Sequence, residues 1–137
     1  MSVVNTRSPR ETEEAGEALA RKVAKGGIVL LQGPLGAGKT LFVRGLVAGL
    51  GGDPNEVRSP TYLGTVPYAT PQGEMLHIDL YQRGRGAQAH RLLEEALEEA
   101  PRLLAVEWGR EAPASAWRVV ISEGKGERDR RLEITPP

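Results

Sequence analysis

Residues 33–40 read Gly-Pro-Leu-Gly-Ala-Gly-Lys-Thr, and this short string limits what the chain can fold into more than any other part of it. It meets the pattern G-x-x-x-x-G-K-[ST] through Gly33, Gly38, Lys39 and Thr40. Its flanks suit the same unit. Ile28-Val29-Leu30-Leu31 is a continuous apolar run, as expected of a strand buried on both faces in a parallel sheet. From Lys39 to Leu50, the residues Phe42, Val43, Leu46, Val47 and Leu50 form one helical stripe, and Gly51-Gly52 ends it. Glycines let successive N–H groups turn inward around a phosphate, and the helix N-terminus adds partial positive charge there. Gly33, Gly36, Ala37 and Gly38 are therefore candidate phosphate-binding positions. Lys39 is expected to bridge β- and γ-phosphates, and the Thr40 hydroxyl to ligate Mg2+. The ligand expected is a purine nucleoside triphosphate.

The rest of the chain continues an α/β pattern. A helix is expected over residues 9–25, with Ser8 and Glu11 as a capping box, Pro9 in the first turn, and Ala15, Leu19 and Val23 facing the core. Residues 53–62 read as loop. Strands are expected at 63–69 and 75–80, joined by the turn Thr70-Pro71-Gln72-Gly73. A helix over about 88–99 and a second buried strand at Leu103–Val106 follow. Residues 117–122 and 131–135 suit an antiparallel pair around the polar turn 123–130. The fold expected is α/β: a P-loop NTPase-like single domain over residues 1–137, with a mixed, mainly parallel central sheet flanked by helices and antiparallel C-terminal strands.

Composition removes several function classes. The 137 residues contain no cysteine, which excludes disulfides, thiolate zinc sites and cysteine nucleophiles. Lysine plus arginine and aspartate plus glutamate balance at 18 each, which argues against nucleic acid as the main direct partner. No apolar run approaches the ~18 residues a membrane span needs, and no signal-peptide pattern opens the sequence. A cytoplasmic location is the expectation.

A phosphate loop needs a carboxylate for Mg2+, usually at the end of a neighbouring apolar strand. Two qualify: Asp79, closing Met75-Leu76-His77-Ile78-Asp79, and Glu107, closing Leu103-Leu104-Ala105-Val106-Glu107. One is expected to hold the metal and the other to position the attacking water. The greater hydrophobicity of its strand favours Glu107 for the metal. His77 and Asp79 share a strand face, so His77 is expected to orient Asp79. Trp108 follows Glu107 and suits either core packing or contact with the nucleotide or a moving loop. Within Ser59-Pro60-Thr61-Tyr62, Thr61 occupies the interval where switch-type NTPases place a threonine near the γ-phosphate.

Taken in order, the motifs Leu35–Thr40, Ser59–Tyr62, His77-Ile78-Asp79-Leu80-Tyr81 and Val106-Glu107-Trp108 resemble the TsaE (formerly YjeE) family of bacterial ATPases of tRNA threonylcarbamoyladenosine synthesis. The resemblance spans nearly the whole chain. It implies slow ATP hydrolysis in isolation and association with the TsaB–TsaD pair, which threonylcarbamoylates the adenosine beside the tRNA anticodon. The tRNA is then an indirect partner. The resemblance also implies Thr61, Asp79 and Glu107 as catalytic residues, Trp108 as a site residue, and Thr12 near the nucleotide base. Leu41 stands where the family usually has a second hydroxyl residue near the α-phosphate, and Pro34 where it usually has an acidic one. Gln82 stands where an arginine is usual. These departures bear on nucleotide affinity more than on nucleotide identity.

Three other readings fit parts of the pattern. A GTPase usually carries Asn/Thr-Lys-x-Asp and Asp-x-x-Gly strings, and neither occurs. A small kinase needs an acceptor pocket and a lid, for which Arg83-Gly84-Arg85 is the one lid-like segment. A nucleotide-switched binding module would dock a partner without hydrolysis. The arginines of 83–85 and 128–131 suit solvated loops better than direct tRNA contacts.

Overall fold

A computed structural model describes residues 1–34, 36–58, 64–80, 87–108 and 113–137. The apolar run after Gly26 forms β2 (Gly27–Gln32), whose four middle residues are all buried. Both of its neighbours run parallel to it: β5 (Leu103–Glu107) on one side and β6 (Trp117–Glu123) on the other. Strand β4 (Met75–Asp79) extends the parallel set beyond β5. The edges are antiparallel. β3 (Thr65–Tyr68) pairs with β4, β7 (Arg130–Thr135) with β6, and β1 (Ser2–Thr6) with β7. The seven-stranded order is β1-β7-β6-β2-β5-β4-β3. This is the expected mixed sheet, parallel at its centre and closed by antiparallel C-terminal strands.

Strand β1 is the element that periodicity does not announce. Its first four residues are exposed and only Thr6 is buried, so no alternation marks it. Backbone pairing makes it a strand, from Ser2 opposite Ile134 to Thr6 opposite Arg130.

Alternation along the central strands divides the core into two layers. Val29, Leu31, Met75, Leu103, Ala105, Val119 and Ile121 meet helices α1 (Pro9–Ala20) and α2 (Lys39–Gly49) on one face. On the other, Leu30, Leu76, Ile78, Leu104 and Val106 meet α3 (Ala87–Glu98). The Ser8 side chain caps α1 by accepting from the Glu11 N–H at 3.2 Å. The Glu11 carboxylate in turn accepts from the Arg7 N–H at 3.0 Å, one residue outside the expected capping box. Helix α1 stops at Ala20 rather than near residue 25, although Val23 still packs in the core.

Helices α1 and α2 approach to backbone contact. A Cβ at Gly45 would lie 1.9 Å from the Glu13 carbonyl oxygen, and one at Gly16 would lie 2.3 Å from that of Phe42. Only hydrogen fits between the two helices at these points. That proximity brings the N-terminal half of α1 against the start of α2, where the phosphate loop ends. Asp53 opens a 3-10 turn at Pro54–Glu56 within the expected loop. No helix among the described residues is long and apolar enough to cross a membrane.

Candidate functional site

Residues 33–38 connect the end of β2 to the start of α2. Gly38 occupies the N-cap of α2 with φ 111°, a backbone setting that side-chain-bearing residues avoid. Among the described residues no side chain caps this helix, an arrangement that suits its first N–H groups to a ligand. Lys39, the first helical residue, is 6% exposed. Its Nζ donates to the Gly33 carbonyl at 2.5 Å and to the Pro34 carbonyl at 3.4 Å. The Trp108 ring lies on the ammonium, 3.7 Å from Nζ to the ring centroid. Burial lowers the pKa of Lys39 below its ordinary 10.5, and the Glu107 and Asp79 carboxylates oppose that shift.

Two braces hold the loop from behind. Arg130, on β7, donates from Nε to the Ala37 carbonyl at 2.9 Å and from Nη1 to the Glu127 and Asp129 carbonyls at 2.8 Å each. The sequence places this arginine in a polar turn; its reach back across the chain to the loop has no local signal. Thr12 is 1% exposed, and its hydroxyl shares a 2.7 Å hydrogen bond with that of Thr6 on β1. Its Cγ2 is 3.7 Å from the position a Cβ on Gly38 would take. Thr12 therefore packs behind the loop, with its hydroxyl turned to β1.

The carboxylates come together through strand register. Asp79 pairs with Glu107 across β4 and β5, and both are nearly buried, at 5% and 4% exposed. Both sit at strand C-termini, where open α/β sheets place ligands. One expectation needs correcting. His77 shares a face with Asp79, but its Nε2 lies 2.7 Å from Glu107 Oε2. In-strand alternation identifies the face and says nothing of which neighbouring strand supplies the partner. Trp108 carries on the β5 ladder, its N–H donating to the Leu31 carbonyl at 3.3 Å. It does so at φ 62°, a left-handed setting that costs a non-glycine residue roughly 1 kcal/mol or more.

The structure thus brings Gly33, Lys39, Trp108, Asp79 and Glu107 to one end of the sheet, with Ala37 and Gly38 in the intervening loop. Gly36 is an exposed part of the same loop, and Thr40 and Leu41 are half-buried in the first turn of α2. Thr61 lies outside the described residues, as do Leu35 and the rest of the Ser59–Tyr62 motif.

No group of three histidine, cysteine, aspartate or glutamate side chains able to cage a metal occurs among the described residues. The donors present are two carboxylates and the Thr40 hydroxyl, all oxygen. Magnesium prefers such a set, since it keeps several waters and takes the remaining ligands from phosphate. The donor set fits Mg2+ brought in with a nucleotide.

A family model described as "Threonylcarbamoyl adenosine biosynthesis protein TsaE" matches residues 6–132. Relatives named tRNA threonylcarbamoyladenosine biosynthesis protein TsaE include the following three. The one from Nostoc sp. is 33% identical over 130 residues, covering 91% of this chain and 80% of that protein. The one from Rickettsia bellii is 36% identical over 102 residues, covering 74% and 69%. The one from Aquifex aeolicus is 40% identical over 76 residues, covering 55% of this chain and 57% of that protein. Among solved structures, Bacillus subtilis YdiB superposes with a TM-score of 0.76 at 26% identity, over 98% of this chain and 84% of that one.

Proposed function

The chain belongs to the TsaE family, and from that premise we propose that it binds and hydrolyses ATP with Mg2+ in the service of tRNA threonylcarbamoyladenosine synthesis. In this reading it acts through the TsaB–TsaD pair, which modifies the adenosine beside the anticodon, and it meets tRNA only indirectly. The observation that carries the reading is the placement of a buried lysine at a helix N-terminus, within the field of two carboxylates that end adjacent parallel strands.

Each residue then has a task that follows from its chemistry. The N–H groups of Gly36 and of residues 38–40, at the α2 terminus, cradle the β-phosphate. Lys39 leaves the Trp108 ring and turns its third N–H toward the phosphates, keeping its carbonyl contacts within the loop. Bound Mg2+ would supply neutralisation of phosphate charge. Thr40 and one of the two carboxylates would hold that ion, and the other carboxylate would orient the attacking water. Thr61 is assigned to the γ-phosphate on the strength of its motif, and Leu41 and Trp108 border the nucleotide.

The test is calorimetry with ATP and ADP in the presence of Mg2+, paired with phosphate release measured with and without TsaB and TsaD. Binding by the wild type, its loss in Lys39→Ala, and phosphate release that rises with the partners are the expected results. Undiminished binding by Lys39→Ala overturns the site. Transfer of phosphate to an acceptor molecule overturns the ATPase reading in favour of a kinase.

A further inference from the structure

His77 is completely buried, and the phosphate chemistry above leaves it without a task. The register of β4 and β5 explains where it points. His77 faces Ala105 across the pair, and Asp79 faces Glu107 one step along the same face. A methyl group at 105 leaves the imidazole room to lean along the sheet toward the diagonal neighbour, within the reach of a ring and a long acidic side chain. The contact made is His77 Nε2 to Glu107 Oε2 at 2.7 Å. A carboxylate can only accept, so the proton between them belongs to Nε2. The other ring nitrogen, Nδ1, has no hydrogen-bond partner among the described residues although it is buried. A proton there would be a buried donor with nothing described to receive it, whereas a bare lone pair costs less. Burial, the small residue opposite and the orphaned Nδ1 all select one tautomer and one hydrogen bond.

We infer that His77 is a positioning residue for Glu107: its Nε2–H takes one carboxylate oxygen and fixes the plane of the group at the end of β5. The inference rests on the ATPase reading and deepens it. Glu107 has three side-chain torsions and ends a strand beside a lysine that attracts it. Without a fixed donor the carboxylate samples rotamers that take it off the nucleotide. With one, its ordering cost is met during folding instead of in each turnover. The same bond serves whether Glu107 faces the metal or the water, because outer hydrogen-bond partners orient both kinds of group.

The experiment uses the full chain with its stimulating partners and compares His77→Leu, His77→Asn and His77→Gln. A glutamine amide nitrogen reaches about where Nε2 lies, and that of asparagine stops near Nδ1. The expected result is a 10- to 100-fold fall in kcat for His77→Leu, a similar fall for His77→Asn, and recovery of most of the loss in His77→Gln. Affinity for ADP measured without metal stays unchanged throughout. In a Glu107→Gln background, His77→Leu is expected to cost little more. Equal losses in His77→Leu and His77→Gln, or losses that add fully to that of Glu107→Gln, overturn the positioning role. An 15N spectrum of the histidine rings tests the bond without turnover: Nε2 protonated and Nδ1 bare is expected, and the opposite tautomer overturns it. A wild type that releases no phosphate even with its partners defeats the ATPase reading instead, and the tautomer then decides the hydrogen bond separately.

Discussion

Lys39 is held where its charge is useful to a ligand and costly to the fold. Burial lowers its pKa, so protons leave it more readily in the folded chain than in the unfolded one. Between that lowered value and 10.5 the unfolded state binds more protons, and stability rises with pH. Tyr68 works in the other direction. Its hydroxyl accepts from the Arg58 N–H at 3.1 Å and donates to the Arg58 carbonyl at 3.0 Å, and burial raises its pKa above 10.0. Its contribution is complete below pH 10.0 and is lost as pH climbs through the raised value. Urea midpoints from pH 8 to 11 are expected to lose the upward component in Lys39→Met and the alkaline fall in Tyr68→Phe. Asp79→Asn and Glu107→Gln probe the chemistry: each is expected to cost ~10²–10³ in kcat, the scale of one transition-state contact. Their thermal midpoints should stay close to that of the wild type. Motif spacing and strand ends single out Lys39, Asp79 and Glu107 in the sequence, and the structure brings the three together at one end of the sheet. The pairing of His77 with Glu107 was not legible in the sequence, because it depends on the register between two strands 30 residues apart.

At the scale of elements, the phosphate loop depends on how closely α1 lies on α2. The contact at Gly45 leaves no space for a methyl group, so Gly45→Ala must part the helices. Overpacking of this kind costs about 3 kcal/mol. It should also weaken ATP binding, because Thr12 on α1 backs Gly38. Equilibrium unfolding and calorimetry on the one variant check both effects, and unchanged stability would mean that the helices re-pack freely. Helices and central strands were readable from periodicity, since each buries a stripe or a run of apolar residues. The α1 boundary was less so. Val23 fits the helical repeat and is buried, yet it lies beyond the last turn. An apolar repeat records burial, and a short loop packed on the core can satisfy the same pattern.

For the whole molecule, nucleotide and fold stabilise each other by mass action. A ligand at 100 times its Kd adds about 2.7 kcal/mol, or roughly 10 °C in Tm for a chain of this size. ATP with Mg2+ should produce that shift in the wild type and none in Lys39→Ala, as read by differential scanning fluorimetry. The global arrangement also accounts for β1, the strand without an apolar repeat. With Val3 and Val4 facing solvent, nothing in residues 2–6 signals a strand, and the edge of β7 that supplies its partner lies more than a hundred residues away. This long-range pairing has a consequence in time. A ribosome delivers residues 2–6 more than a hundred residues before residues 130–135, so β1 emerges with no edge to join. Thr6, which holds Thr12 behind the phosphate loop, settles only after β7 is made, and Arg130 arrives on β7 itself. Both braces of the loop are therefore completed only once β7 has been made. A chain that has made β2, α2 and β5 still lacks both braces of the loop until β7 follows.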